Sequence, residues 1–230
     1  MKTISEDINS SAVADTARIL DILKMEYGMP HCSSGQKDPV SVLVQTILSQ
    51  NTSDTNSSRA FQSLAGNFHS WDSVAEAETG TITNCIRSGG LGEIKAERIK
   101  RALREISRRR GKIELEFLSK LPLIDAEEWL IGLPGVGAKT ARCVLLFSFG
   151  MPALPVDTHI LRVSRRLGLI SGKASPKEAH RKLQEMVKPG DIMGFHLLMI
   201  EHGRTICTAL RPRCQECPLA GMCIGLSLSL

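Results

Sequence analysis

The segment Leu133-Pro-Gly-Val-Gly-Ala-Lys-Thr-Ala141 joins two short stretches of helical periodicity and decides which fold we expect. Gly135 and Gly137 allow the backbone to turn sharply and to approach a ligand closely, because glycine has no Cβ. The helix that follows presents free N–H groups in its first turn, where the helix dipole favours an anion. A DNA phosphate suits such a site, and backbone N–H groups grip it without regard to base sequence. The alternative is a helix–turn–helix whose glycines serve only tight packing.

Helical periodicity continues on both sides of this segment. Apolar residues recur at helical spacing, and no stretch alternates convincingly as a strand would. Aromatic residues make up only 4% of the chain, which favours packing of helices by aliphatic side chains over a sheet sandwich. Helices are predicted over 12–27, 40–48, 59–64, 93–110, 125–131, 138–149, 158–167, 176–187 and 192–204. We therefore expect an all-α fold.

Charge and hydropathy limit the partners and the compartment. The net charge of +5 and the pI of about 8.9 suit a polyanion partner, although many soluble proteins share these values. No run of about 18 apolar residues occurs, so we expect no membrane segment. The N-terminal residues lack the apolar core of a signal peptide. We expect a reducing, cytoplasmic location, with association to the nucleoid if DNA is the partner.

Lys139 and Asp157 are the candidate catalytic residues. Lys139 lies in the first turn of the predicted helix after the glycines, where the helix dipole disfavours a cation. It is a candidate amine nucleophile, and the alternative is a solvated lysine beside a phosphate. Asp157 precedes another predicted helix, where an aspartate usually serves as an N-cap. A carboxylate beside an amine can also accept its proton or stabilise developing positive charge.

Four cysteines near the C-terminus follow the spacing Cys207-x6-Cys214-x2-Cys217-x5-Cys223. Four thiolates on one short looping segment can surround a single metal centre. Such compact patterns favour an iron–sulfur cluster, whereas zinc usually takes two separated C-x2-C pairs and stays an alternative. Disulfides are disfavoured because the chain has seven cysteines, an odd number, and no secretory leader. Cys32, Cys85 and Cys143 fall outside the pattern and are expected to be ordinary small residues of the interior.

In combination, these motifs resemble the endonuclease III family of helix–hairpin–helix DNA glycosylases with an iron–sulfur cluster. The matching pieces are the 133–141 segment, the 156–159 segment, the 201–204 segment and the four-cysteine loop. The resemblance implies two helical lobes with a DNA cleft between them. A six-helix barrel carrying the hairpin is expected over 30–150. A domain formed by 1–29 and 151–230 is expected to hold a 4Fe–4S cluster.

The resemblance also implies roles for individual residues. Lys139 is expected to attack C1′ of an extruded nucleotide, with help from Asp157. Leu91 matches the family's wedge leucine, although a buried loop leucine is the alternative. Gln50 and Asn51 lie where the family places a glutamine that fills the gap in the duplex, and a strict match selects Asn51. The arginines of the cysteine loop, Arg211 and Arg213, are expected to contact phosphates, with a role in solubility as the alternative.

The favoured function is a bifunctional DNA glycosylase and abasic-site lyase of base excision repair that removes oxidised pyrimidines. A mismatch glycosylase that removes thymine or uracil opposite guanine is an alternative within the same family. A non-catalytic, cluster-containing DNA-binding protein is an alternative from another class. The expected partner is double-stranded DNA with damaged or mispaired bases or abasic sites, bound by a monomer.

Overall fold

The structure, a computed structural model, describes residues 4–29 and 37–227. Within these ranges the chain forms twelve α-helices, and no residue belongs to a β-strand. In chain order the helices are α1 (Ile4–Tyr27), α2 (Pro39–Ser49), α3 (Asp54–Asn67), α4 (Trp71–Glu76), α5 (Thr79–Cys85), α6 (Gly92–Arg110), α7 (Leu123–Ile131), α8 (Ala138–Phe149), α9 (Thr158–Leu167), α10 (Pro176–Met186), α11 (Ile192–Thr205) and α12 (Ile224–Ser227). The prediction of an all-α fold is confirmed. Among the described helices, none combines the length and the apolar character needed to cross a bilayer.

The chain divides into two compact units. One contains the described residues of Ser34–Met151, and the other contains those of Met1–Ser33 together with Pro152–Leu230. The six-helix barrel and the cluster domain predicted from the resemblance stay predictions.

In the unit of Ser34–Met151, α2 is the central helix. It packs against α3, α6 and α8, and Leu43, Ile47 and Leu48 on it are completely buried. Each such side chain stabilises the fold by roughly 1.5–3 kcal/mol relative to an exposed one. Because α2 is covered on several sides, its apolar residues form a nearly continuous run instead of a single stripe.

In the other unit, α1 packs against α10 and α11, and α9 packs against α11 and α12. Ile19, Leu20 and Leu23 of α1 are buried, as is Phe195 of α11. A side-chain hydrogen bond supports the packing, since Oγ1 of Thr16 donates to the carbonyl oxygen of Met186 at 2.7 Å. The unit therefore joins the start of the chain to its last third through an aliphatic core.

Local sequence signals set several helix ends, and one of them corrects a prediction. At the start of α2, Asp38 accepts a hydrogen bond from the backbone N–H of Ser41 at 2.8 Å. α3 begins earlier than predicted because Ser53 caps it, with Oγ accepting from the N–H of Asn56 at 3.4 Å. The helices α4 and α5 were not predicted, since helices this short show too few turns for a clear period.

Candidate functional site

The segment between α7 and α8 forms a tight hairpin. Gly135 at its tip has φ of 78°, a left-handed conformation that favours glycine. The hairpin is closed by a hydrogen bond from the N–H of Val136 to the carbonyl of Leu133 at 3.2 Å. Gly137 is the N-cap of α8, and no described side chain caps the helix there. The first N–H groups of α8 are therefore available to an anion, as the sequence predicts.

Gly135 and Gly137 differ in the space that a Cβ would occupy. A Cβ at Gly137 would have no described atom within 4 Å. At Gly135, a Cβ would lie 3.1 Å from Cγ of Arg98, a residue of α6. Both glycines are exposed, but only at Gly137 is there open space on the side where a Cβ would point, which leaves room for a ligand to approach closely.

Two charged contacts hold the hairpin helices in place. Nε of Arg142 in α8 lies 2.6 Å from Oε1 of Glu127 in α7, and both side chains are largely buried. Nη2 of Arg109, at the end of α6, donates to the carbonyl of Gly132 at 2.6 Å. Its guanidinium also lies over the ring of Trp129, 5.4 Å from the centroid. This role of Arg109 was not predicted from the sequence, because Gly132 lies 23 residues away in the chain.

Arg109 belongs to a charge cluster at the end of α6. Glu105 accepts hydrogen bonds from Nε of Arg108 at 2.8 Å and from Nε of Arg109 at 2.6 Å. The hydrogen bond from Arg108, followed by that from Arg109, lowers the pKa of Glu105 to about 2. The carboxylate of Glu105 therefore fixes the guanidinium that reaches the hairpin.

The two candidate catalytic residues lie in different units. Lys139 is partly exposed in the first turn of α8, next to the buried Thr140. Asp157 is the N-cap of α9, where Oδ1 accepts a hydrogen bond from the N–H of Ile160 at 2.8 Å. The interpretation of Asp157 as an N-cap is thus confirmed, and its second oxygen, Oδ2, stays available for another role. The predicted pairing of Lys139 with Asp157 stays a prediction.

Gln50 follows α2 and lies against the hairpin. Its Oε1 accepts a hydrogen bond from Nη1 of Arg98 at 2.8 Å. Its Nε2 then faces Oγ1 of Thr140 at 3.5 Å. Arg98, whose role was not predicted from the sequence, therefore orients the Gln50 amide while its aliphatic part lies beside Gly135.

Asn51 and Leu91 share an unusual backbone conformation. Among the described non-glycine residues, they alone have positive φ, at 52° and 49°. Leu91 is 55% exposed, so the alternative of a buried loop leucine is wrong. Strained backbone often marks functional sites, and here it coincides with two residues selected from the sequence as DNA contacts.

In the other unit, the four cysteines of the predicted cluster line one cavity. Its volume is about 130 Å³, and Cys207, Cys214, Cys217 and Cys223 all contribute to its wall. Burial, together with the neighbouring thiols, raises the pKa of Cys217. Within the described residues, no three His, Cys, Asp or Glu side chains are close enough to bind a single metal ion. A cluster is bound differently, since each thiolate binds a separate iron atom, and four thiols around a cavity fit this arrangement.

Arg166 of α9 organises the first cysteine loop. Its Nη1 donates to the carbonyl of Thr208 at 2.7 Å and reaches Sγ of Cys207 at 3.3 Å. Its Nη2 donates to the carbonyl of Ala209 at 3.0 Å. A guanidinium that contacts a thiolate stabilises the negative charge that four thiolates bring to an iron–sulfur cluster. This contact was not predicted from the sequence.

The two arginines of the cysteine loop differ in their surroundings. Arg213 bonds within its own region: Nη2 donates to the carbonyl of Thr205 at 2.7 Å, and Nη1 lies 3.0 Å from Oε2 of Glu216. Arg211 is exposed, and its carbonyl accepts from Oγ1 of Thr208 at 2.7 Å. Of the remaining cysteines, Cys143 is buried in α8 and Cys85 is partly exposed at the end of α5, while Cys32 lies outside the described residues.

Comparisons with known proteins agree on one family. Residues 44–189 match the model of the HhH-GPD superfamily base excision DNA repair protein, and residues 207–223 match the iron-sulfur binding domain of endonuclease III. The endonuclease III of Thermotoga maritima is 36% identical over 189 residues, which cover 82% of this chain and 84% of that protein. A putative DNA glycosylase of Arabidopsis thaliana is 35% identical over 78% of this chain, which spans 64% of that protein's length.

A solved structure of endonuclease III, trapped as a covalent intermediate with DNA, is also similar. The superposition covers 94% of this chain and 98% of the endonuclease III chain, with a TM-score of 0.81 and 28% sequence identity. The cysteines that line the cavity coincide with the ends and the interior of the match to the iron-sulfur binding domain.

Proposed function

Since the chain belongs to the endonuclease III family within the HhH-GPD superfamily of base excision DNA repair proteins, we propose that it is a bifunctional enzyme. It is a DNA glycosylase of this family, and we assign to it the additional activity of an abasic-site lyase that acts on oxidised pyrimidines. One observation carries the proposal. Lys139 stands in the uncapped first turn of α8, where the N–H groups that bind a DNA phosphate would bring a deoxyribose close to its amine.

The proposed reaction begins with the neutral amine of Lys139. Its lone pair forms a bond to C1′ of the extruded nucleotide, the C1′–N bond breaks, and the base leaves with that electron pair and takes up a proton. The sugar ring opens to a Schiff base between Nζ and C1′. Loss of a proton from C2′ then breaks the C3′–O bond, which cuts the strand 3′ to the sugar, and water hydrolyses the Schiff base.

Asp157 has two tasks in this proposal. It accepts the proton of the attacking amine, and its carboxylate stabilises positive charge that develops on the sugar. The N-cap bond to Ile160 occupies Oδ1, so Oδ2 is the oxygen assigned to these tasks. Asp157 would act with a fixed orientation, because the helix start holds the side chain in one rotamer.

The remaining residues bind the duplex. The backbone at Gly135 and Gly137 contacts a phosphate, and Leu91 enters the stack while Gln50 and Asn51 occupy the gap left by the extruded base. An oxidised pyrimidine stacks poorly and is therefore less costly to extrude than an intact base. The cationic side chains in the cysteine loop, Arg211 and Arg213, contact phosphates of the same duplex.

The cofactor is a 4Fe–4S cluster, and we assign Cys207, Cys214, Cys217 and Cys223 as its ligands. The cluster supplies a rigid crosslink of the loop, and no step of the reaction depends on it. Arg166 and Arg162 hold the same loop, the latter through a hydrogen bond from Nε to the carbonyl of Cys207 at 3.0 Å. We further propose that the enzyme acts as a monomer in the cytoplasm, in association with the nucleoid.

Borohydride trapping tests the lyase assignment. The wild-type protein, incubated with an oligonucleotide duplex that contains one abasic site, should become covalently attached to the DNA when the Schiff base is reduced. Lys139→Ala should abolish trapping while it preserves binding, and Asp157→Asn should reduce trapping. Lys120→Ala, which replaces an exposed lysine of the same unit, should trap as the wild type does. Wild-type protein that binds this duplex but never becomes attached would contradict the assignment.

A panel of duplexes tests the substrate. Base release should be fastest from thymine glycol or another oxidised pyrimidine, and slow from thymine or uracil opposite guanine. If base release is instead fastest from thymine or uracil opposite guanine while lyase activity is intact, the proposed lyase chemistry stands and the substrate is a mispaired base.

A further inference from the structure

Lys95 is a fully buried lysine that the proposed reaction does not use. It lies in the first turn of α6, and only 1% of its surface is exposed. Both burial of an ammonium group and its place near the positive end of a helix are unfavourable. Burial, followed by the charge of Arg98, lowers the pKa of Lys95 below its ordinary value. A buried ammonium group is tolerated only where hydrogen bonds compensate for its lost hydration.

The ammonium group of Lys95 connects the end of α2 to the segment that precedes α6. Its Nζ donates to the carbonyl oxygen of Leu48 at 2.7 Å and to the carbonyl oxygen of Gly89 at 2.7 Å. Leu48 lies near the end of α2, shortly before Asn51, and Gly89 lies shortly before Leu91. Asn51 and Leu91, the described non-glycine residues with left-handed backbone, thus each lie shortly after a residue whose carbonyl oxygen accepts a hydrogen bond from Lys95.

Thr52 strengthens the same connection. Its Oγ1 donates to the carbonyl oxygen of Gly89 at 2.6 Å, so this single oxygen accepts from both Lys95 and Thr52. The loop that contains Asn51 is therefore bonded directly to the loop that contains Leu91. A buried hydrogen-bonded connection of this type fixes the position of one loop relative to the other.

The backbone strain explains why such a connection is needed. Leucine in the left-handed region is unfavourable, and the exposed Leu91 side chain gives little packing that would hold it there. A strained conformation persists only where the surrounding structure determines it. For Leu91 these surroundings are the bonds of Gly89 and the first turn of α6, where the N–H of Lys95 also donates to the carbonyl of Leu91 at 3.0 Å.

We propose that Lys95 is a positioning residue that joins the Asn51 loop and the Leu91 loop into one rigid unit for insertion into the duplex. Lys95 itself does not touch the DNA. This inference rests on the proposed function, in which Asn51 and Leu91 enter the duplex. Loss of Lys95 should therefore slow base release but not trapping at an abasic site. Extrusion of a stacked base depends on the inserting unit, whereas an abasic site has no base to extrude.

The experiment compares two substrates for each variant. Lys95→Met removes the ammonium group but keeps an unbranched chain, and Thr52→Val removes only the hydroxyl. Lys100→Met, elsewhere on α6, and Thr52→Ser, which keeps the hydroxyl, are the matched controls. Single-turnover base release is measured on a duplex with an oxidised pyrimidine, and borohydride trapping is measured on an abasic-site duplex. A fluorescent base analogue beside the lesion reports extrusion directly.

Lys95→Met should slow base release roughly 100-fold, the size of effect expected when a reacting group is misplaced by about 1 Å. Its trapping rate on the abasic duplex should stay within about threefold of wild type. Thr52→Val should show a smaller effect in the same direction, and both controls should behave as wild type. The fluorescence change on binding should shrink in parallel with base release.

Four outcomes would overturn the inference. Equal losses on both substrates would mean that Lys95 serves folding or overall binding, and unchanged base release in Lys95→Met would mean that the loops do not need it. If Lys95→Met does not fold, Thr52→Val decides, and a wild-type rate for that variant overturns the inference. Wild-type protein that fails to trap would defeat the proposed function itself, and the inference would fall with it.

Discussion

Arg98 of α6 covers Gly135 at the tip of the hairpin, since a Cβ at Gly135 would lie 3.1 Å from its Cγ. The same arginine donates to Oε1 of Gln50 at 2.8 Å. One side chain therefore supports both the turn proposed to bind a phosphate and a residue proposed to enter the duplex. The neighbouring Gly137 has no such cover, and the two glycines should respond differently to the same substitution.

Gly137→Ala should weaken DNA binding and have only a small effect on the stability of the fold. The added methyl group meets no protein atom, so the free energy of unfolding should fall by at most about 1 kcal/mol, the size of an unfavourable N-cap exchange. It occupies the space in which the phosphate is proposed to sit, so DNA affinity should fall roughly tenfold, about 1.4 kcal/mol. Fluorescence anisotropy with an abasic-site duplex measures the affinity, and urea unfolding measures the stability.

Gly135→Ala is the matched comparison for that variant. It places a Cβ at φ of 78° and against Arg98, so the free energy of unfolding should fall by roughly 1–2 kcal/mol. A Gly137→Ala protein that binds DNA as tightly as wild type would contradict the phosphate site at α8.

Leu91→Gly and Leu91→Ala should differ in stability but agree in activity. Both variants lack the exposed side chain, so both should slow base release. Only glycine relieves the left-handed strain at φ of 49°, so Leu91→Gly should be more stable than Leu91→Ala by about 1 kcal/mol. Thermal unfolding measures the difference. Equal stabilities would contradict the strain at Leu91, and base release at the wild-type rate in either variant would contradict its role in the duplex.

Glu105 should make stability depend on pH in the acid range. Its pKa is lowered from 4.5 to about 2 by Arg108 and Arg109. A carboxyl whose folded-state pKa is depressed stabilises the fold above its unfolded pKa and loses this contribution as the pH falls through the folded value. The difference in unfolding free energy between wild type and Glu105→Gln should be constant above pH 5 and shrink between about pH 4.5 and pH 2.

Urea unfolding at a series of pH values measures this difference. Glu128→Gln, at an exposed position of α7, is the control, and its difference from wild type should not follow the same course. Added salt should weaken the effect of Glu105, because its ion pairs are near the surface. If the difference in unfolding free energy between wild type and Glu105→Gln grows as the pH falls, the predicted pH dependence is contradicted.

Cys217→Ser should remove iron, whereas Cys85→Ser should not. Cys217 lines the cavity shared by the four candidate ligands, and Cys85 lies in the other unit at the end of α5. Iron and acid-labile sulfide per protein, together with visible absorbance, measure cluster content. Wild type and Cys85→Ser should each contain about four iron atoms, the content of one 4Fe–4S cluster. Full iron content in Cys217→Ser would exclude Cys217 as a ligand.

Prediction from the sequence succeeded where the signal is local. The glycines of the hairpin, the N-cap at Asp157 and the cysteine spacing all lie within short segments, and the physical reason for each residue type can be stated from its neighbours. Prediction was weaker for α4 and α5, whose few turns show little periodicity, and for the start of α3, where Ser53 caps a helix inside a polar run.

The sequence alone determined that the chain is all-α, that a glycine hairpin begins α8 and that four cysteines form one group, because these properties depend on neighbouring residues. Only the tertiary structure decided the partners of Lys95, Arg98 and Arg109. Lys95 reaches a carbonyl 47 residues away and Arg98 reaches an amide 48 residues away. Long flexible cations have no preferred partner in an extended chain, and helix packing selects the carbonyl or amide that each one meets.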